Sequence, residues 1–482
     1  MSESPEAPAS NVIRLTEVND TFTMGAGNFV VDGLNGSDTI TMGAGNSSVS
    51  TGTGNSVITM GAGDSRVNAG LGNNIITAGA GNSLVAVSDG NNIITIGAGN
   101  TTIGAGVGGN IITVGAGDSD IRTGNGSNII LTGAGNSTIV TLAGDNMITA
   151  GAGNNHVYAA DGNHLVITGA GDSRVDVGDG NSSIFTGAGD STINAGNGNN
   201  VIMTGAGDSI ITTNVGDNLI IAGAGNNHVY TGNGNNSVTT GPGSGSVDVG
   251  DGNSTIFTGA GDNRISAGNG SNHITTGDGA STIVAGNGNN VITTGIGNST
   301  ITTLVGDNLI TAGDGINSVH AAGGNNTVTT GAGNDTVTTG AGNDHITAGA
   351  GDDVINGGGE ADTVAAGGGN DLLIYVAEQN THTSTDLYDG GTGVDTLRLA
   401  LTGAEWMNEA VKTDVADYLA FVAANTDSSG EANDAAFTFS TFGLTAAGIE
   451  TLALVVDGVA IDLLTLTGGN SGQTAVSDCM ST

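Results

Sequence analysis

From Gly25 onward an apolar residue, nearly always Val or Ile, returns at every ninth position: Val31, Ile40, Val49, Ile58, Val67 and Ile76 begin the column. Val337, Ile346, Ile355 and Val364 carry it on, and Leu373 ends it. Between them lie Gly-rich polar stretches, giving the pattern G-x-G-[N/D]-[S/N/D]-x-[I/V]-x-x. The unit starts 39 times, up to Gly367, with no insertion or deletion, and its third position is Gly everywhere except at Glu360. A β-branched residue after a glycine turn predicts one short strand and one tight turn per unit. The glycines supply the positive φ such turns require. Two units then make one coil, with two strands facing each other across a thin core of stacked Val and Ile. The predicted fold is all-β, a parallel β-roll (a β-solenoid) over residues 24–374.

Within each strand the neighbours of the core residue point outward, and alternate units sort them into two faces. One carries Val57, Ile75, Ile93, Ile111, Ile129 and Met147, with Thr59, Thr77, Thr95 and Thr113 alongside. Phe185, Met203, Ile221 and Phe257 interrupt that Thr column later. The other face carries Arg66, Asp120, His156, Arg174, His228 and Arg264, with Tyr158, Asp176, Tyr230 and Asp248. An outward apolar strip of this length exceeds what a soluble monomer normally exposes.

The period stops after residue 374, and 375–482 reads as an α+β cap. "GAEWMNEAVKTDVADYLAFVAAN" at 403–425 is helical in pattern, with Trp406, Ala410, Val411, Val415, Tyr418, Leu419 and Val422 approximating one face. "AAFTFSTFGL" and "IETLALVVDGVAIDLLTL" read as strands. Such a cap would cover an otherwise open sheet edge. Residues 1–23 form an acidic, polar leader segment without the basic and apolar regions of a signal peptide. No run of 18 apolar residues is present, and the single Cys479 has no partner for an internal disulfide.

Charge narrows the function. Seven Lys and Arg stand against 46 Asp and Glu, a formal net charge of −39. Such a surface repels nucleic acid and anionic membranes and attracts cations. The 89 Gly lack a Gly-X-Y period, which excludes collagen.

One position of the unit changes character along the chain. In "TGAGNDTVT" (330–338), "TGAGNDHIT" (339–347), "AGAGDDVIN" (348–356) and "AGGGNDLLI" (366–374) the residue two before the core residue is Asp. These stretches resemble the motif G-G-x-G-x-D-x-U-x of the RTX family of type I secreted proteins, and the resemblance covers about three quarters of the chain. It implies export by the type I secretion machinery, an uncleaved signal near the C-terminus, an extracellular or cell-surface location, and a roll that binds Ca2+. In that family calcium sits between successive turns on one edge, held by turn carbonyls and by carboxylates one coil apart. By resemblance the metal ligands are Asp335, Asp353 and Asp371 on one edge and Asp344 and Asp362 on the other, roughly three sites.

The departure from the family is large. Only six units have Asp in this slot, the sixth being Asp38, whereas Asn fills 16 and Ser 13. Asn and Ser are predicted to hydrogen-bond from coil to coil, as in cross-β ladders. The C-terminal coils then read as a calcium-dependent seed from which order spreads. A second acidic set one position earlier, including Asp64, Asp118, Asp172, Asp190, Asp208 and Asp262, is predicted to face solvent.

No G-x-S-x-G, H-E-x-x-H or P-loop occurs, and the seven His show no catalytic spacing, so an enzyme is not expected. The reading is a secreted calcium-binding structural or surface protein (surface layer, matrix fibre or adhesin) that folds on calcium and forms homo-oligomers or filaments through its apolar face. The alternative is an ice-binding or other ligand-binding solenoid that uses its Thr and apolar columns.

Overall fold

The computed structural model describes residues 11–380, 384–428, 430–433 and 435–463. His382, Cys479, the first ten residues of the leader and the extreme C-terminus, where the export signal is expected, lie outside them. Two compact units are present, Met1–Gly241 and Pro242–Thr482.

In the first unit each short strand pairs in parallel with the strand two repeats further on. Val57–Met60 lies beside Ile75–Ala78, which lies beside Ile93–Ile96, and so on in unbroken register. Strands from alternate repeats form two such parallel sheets. Pairing begins before the nine-residue period is legible: Val12–Arg14 pairs with Val30–Asp32, and Thr21–Met24 with Thr39–Met42. Strand alternation then decides what is buried. In Ser65–Ala69 the side chains of Ser65, Val67 and Ala69 point in, while Arg66 and Asn68 point out. The slot residue is therefore not a surface turn residue but the first inward position of its strand.

Turns stack as closely as strands. Gly135 has φ +138°, and a Cβ there would stand 2.3 Å from the Gly117 carbonyl oxygen one coil away. Both conformation and contact therefore require glycine.

The apolar outer column is present in register, with Val57, Ile75, Ile93, Ile111 and Ile129 each 38–43% exposed. Thr23, Thr41, Thr59, Thr77, Thr95 and Thr113 run beside it until Leu131. The opposite face is mixed: Leu84 and Ile210 are exposed there beside the expected Arg66, Tyr158 and Arg174.

The second unit repeats this geometry, with an outer Thr column five long: Thr275, Thr293, Thr311, Thr329 and Thr347. Parallel stacking runs on past residue 374. Asp386–Thr392 pairs with Thr363–Gly368 and Thr396–Leu401 with Leu372–Val376, both across a longer coil than those upstream. Leu444–Ala447 and Thr451–Val456 add one more layer. The helical pattern resolves into two pieces, Gly403–Trp406 with a Thr402/Glu405 capping box and Glu409–Asn425 capped by Asn408. The break leaves Trp406 half-buried and Ala410 exposed, so the buried face is Val411, Val415, Tyr418 and Val422. Tyr418 packs on Phe437 and Phe439, with ring centroids 5.2 and 4.9 Å away. Asp414 pins the helix by accepting from the Ser440 hydroxyl (2.8 Å) and the Thr441 amide (2.6 Å).

The glycine column can be tested directly. Gly135→Ala is expected to cost roughly 1–3 kcal/mol in urea denaturation, while Ala134→Gly on the exposed side of the same turn changes stability by no more than about 0.5 kcal/mol.

Candidate metal centre

Each Gly turn delivers its slot residue onto the inner face of a strand, and in the second unit five of these are the predicted Asp. Asp335, Asp344, Asp353, Asp362 and Asp371 are all 1–2% exposed. One carboxylate oxygen of each, Oδ1, accepts the backbone amide of the slot residue one coil earlier. Asn317 donates to Asp335 (2.7 Å), Asn326 to Asp344 (2.6 Å), Asp335 to Asp353 (2.7 Å), Asp344 to Asp362 (2.9 Å) and Asp353 to Asp371 (2.8 Å). The structure thus assembles the two columns that the spacing of these Asp implied.

Both columns extend further. The Asp362 amide donates to Asp386 and the Asp371 amide to Asp395, each at 2.8 Å. One edge therefore stacks Asp335, Asp353, Asp371 and Asp395, and the other Asp344, Asp362 and Asp386. The sequence reading missed these two because the longer coil between them and the repeat leaves the period. A signal for Asp395 was present: "GGTGVDTLR" at 390–398 satisfies G-G-x-G-x-D-x-U-x in full. Each column ends on a foreign acceptor. Glu450 takes the Asp395 amide on Oε2 and the Ala432 amide on Oε1, both at 2.5 Å. The Asp386 amide goes to the Gly443 carbonyl at 2.7 Å.

The second oxygen, Oδ2, is the informative atom. In all seven Asp it is buried without a hydrogen-bond partner among the described residues. Thr330 and Thr339 stand nearby, but their hydroxyls donate to the Ala348 and Gly357 carbonyls. At Gly357 and Gly390 a Cβ would come within 2.6 Å of Oδ2 of Asp362 and Asp395, so the first motif glycine makes room for that oxygen. A buried, unpartnered carboxylate oxygen is costly unless a proton or a cation meets it.

Protonation chemistry agrees. Burial pushes Asp344 and Asp386 up to about 6. Burial, then the charges of Asp371 and Asp335, pushes Asp353 up to about 7. Burial, reinforced by Asp386 and Asp344, pushes Asp362 up to about 8, and burial with Asp371 and Glu450 pushes Asp395 up to about 7. No three His, Cys, Asp or Glu side chains converge on one point among the described residues. A cation here must combine one or two carboxylates with backbone carbonyls, an all-oxygen set that suits calcium and not zinc. Calcium bound there would supply the positive charge that the stacked carboxylates lack.

Asp38 shares the geometry: it is fully buried, accepts the Asp20 amide at 3.0 Å, and leaves Oδ2 unpartnered. Its column differs from the C-terminal ones: Asp20 Oδ2 holds the Thr16 amide and hydroxyl, and the next slot is Ser56. The second acidic set is exposed as predicted, with a structural task besides. Asp172 Oδ1 accepts the Asp190 amide (3.1 Å) and Asp190 Oδ1 the Asp208 amide (2.9 Å). This outer ladder runs in the opposite sense to the buried one.

Stacked parallel coils with buried acidic columns at their turns define a β-roll built to hold calcium. The RTX calcium-binding nonapeptide repeat matches the chain in ten stretches that together span residues 50–373. The chain belongs to that family. No curated protein and no solved structure gave a significant match.

Two measurements check this centre. Calorimetric titration should find on the order of three to five calcium ions per chain, and not one per repeat. Asp395→Asn should lower that number, whereas Asp190→Asn on the outer ladder should leave it unchanged. The pH dependence follows from the raised acidities. Between about pH 4 and 8 the metal-free folded state binds more protons than the unfolded chain, so its stability falls as pH rises through the folded values. Thermal melts in calcium-free buffer should therefore be higher at pH 5 than at pH 8, with calcium raising the melt more at pH 8.

Proposed function

We propose that this chain is a secreted, non-enzymatic structural protein of the cell surface or extracellular matrix that orders its C-terminal coils on calcium and self-associates through its apolar face. The observation that carries the calcium half is the pair of Asp columns with unpartnered inner oxygens. Self-association is supported by the exposed column from Val57 to Ile129, an in-register apolar strip of the kind that marks interaction surfaces. The net charge of −39 keeps chains apart until cations screen or bind them, which makes association calcium- and salt-dependent. Export by type I secretion is typical of this family and is part of the proposal.

A second reading is favoured by one observation. Each unit carries an uninterrupted run of outward Thr in parallel register, six from Thr23 to Thr113 and five from Thr275 to Thr347. Such flat, regular hydroxyl arrays suit an ordered surface, ice included. Thermal hysteresis separates the two readings, because self-association alone produces none.

Light scattering and electron microscopy with and without calcium test the first reading. The parent is expected to form oligomers or filaments with calcium, and a variant carrying Ile75→Ser, Ile93→Ser and Ile111→Ser should remain monomeric while binding the same number of ions. In the source cell, deleting residues 420–482 should trap the protein inside, whereas deleting residues 1–20 should not. Secretion lost on the N-terminal deletion alone would refute the export route.

A further inference from the structure

The slot residues outside the Asp columns show how the rest of the roll is held. All 16 Asn in the slot donate Nδ2–H to the turn carbonyl two residues back. Twelve of them also reach the carbonyl four residues back. Asn290 is representative: Nδ2 lies 3.2 Å from the Gly286 carbonyl, 2.9 Å from that of Gly288 and 2.9 Å from Asn308 Oδ1 in the next coil. Its Oδ1 meanwhile accepts the Asn272 amide at 3.1 Å, the same duty that Asp Oδ1 performs.

Asn and Asp are nearly isosteric, so the second atom is where they differ. In Asn it is a donor aimed at inward-facing carbonyls; in Asp it is an acceptor with nothing to accept. We propose that the slot Asn side chains are built-in replacements for calcium, so that the metal requirement of this roll is confined to the Asp coils. This rests on the calcium reading of the Asp columns.

Some other slot residues reach the same end by different chemistry. His164 places Nε2 2.6 Å from the Ala160 carbonyl, which can only accept, and so uses Nδ1 for the Asn146 amide at 3.3 Å. Ser137, Ser173 and Ser191 pair with Thr132, Thr168 and Thr186 at 2.8 Å, hydroxyl to hydroxyl, inside their turns. At the junction the ladder passes from one regime to the other: Asn326 Nδ2 donates to the Gly324 carbonyl at 2.9 Å and to Asp344 Oδ1 at 3.0 Å. A calcium-dependent seed is then unnecessary for the Asn coils, because they carry their own donors; the unpartnered hydroxyls of Ser83, Ser119, Ser281 and Ser299 leave only a neutral atom buried.

The test uses the full chain and two reciprocal variants. In Asp344→Asn/Asp362→Asn/Asp386→Asn, one edge acquires amide donors throughout. It should melt at a higher temperature than the parent in calcium-free buffer at pH 8, and bind fewer calcium ions by calorimetry. In Asn290→Asp/Asn308→Asp/Asn326→Asp, the Asp column grows by three coils. That variant should melt lower than the parent without calcium, recover with calcium, and bind roughly two further ions. Hydrogen exchange of the parent in calcium-free buffer should show protected strands in the first unit. The proposal is overturned if the Asn variant is no more stable than the parent without calcium, if the Asp variant gains no ions, or if the first unit exchanges freely. A parent that bound no calcium would instead sink the calcium reading. The calcium-free melt of the Asn variant would still judge the proposal.

Discussion

The hydrogen bond that each slot amide donates to the next coil is the constraint from which the rest of this structure follows. Its acceptor is the next slot side chain along both Asp columns and the Asn ladders, and a backbone carbonyl at alternate slots from Ser47 to Ser191. It demands parallel strands in a fixed register, because only then does each slot amide meet the same part of the next coil. It also fixes one side-chain atom as an acceptor and leaves the other to be decided by residue type. Asp, Asn, Ser and His all occupy the slot, and they divide the chain into coils that need a cation and coils that do not. The Val and Ile of the core column add burial to this arrangement, but they are alike in both kinds of coil. Core packing therefore cannot explain why the two ends of the repeat differ.

Much of this was legible in the sequence, for a physical reason: a solenoid repeats its contacts, so its periodicity is its topology. The column from Val31 to Leu373, the five Asp of the two edges and the apolar strip beginning at Val57 all follow from counting. What escaped counting was where the chain departs from its own period. The peptide around Ala377–Gln379 lengthens one coil to 24 residues, and Asp386 and Asp395 disappear from the pattern although the backbone returns them to the columns. Burial of the slot escaped for another reason. "GND" reads as a solvated turn, yet the alternation of the strand that follows turns its Asp inward. The two-part helix shows a local signal overriding a face pattern, since Asn408 caps a new helix and removes Trp406 from the buried stripe.

Most of the aromatic contacts in the structure lie beyond residue 374. Tyr375, Tyr388, Tyr418, Phe437, Phe439 and Phe442 meet ring to ring there, while the coils upstream are packed by β-branched residues. A layered end cannot be closed by another copy of itself. It is closed by bulk, by a helix fastened through Asp414, and by Glu450, which gives the final amide of one acidic column a carboxylate from outside the repeat.

The opposed directions of the inner and outer ladders have a consequence for how such a chain can change length. Coils share one backbone register, so excising or copying one whole coil returns each strand to a parallel neighbour on the same face. A change of half a coil would move every face to the other side. The echo of "NNHVY" at 154–158 and 226–230 falls eight repeats apart, which is a whole number of coils. Heredity can therefore treat this protein as a tally: copy number is free to drift in steps of one coil, while the letter in each slot records whether that step brought a new requirement for metal.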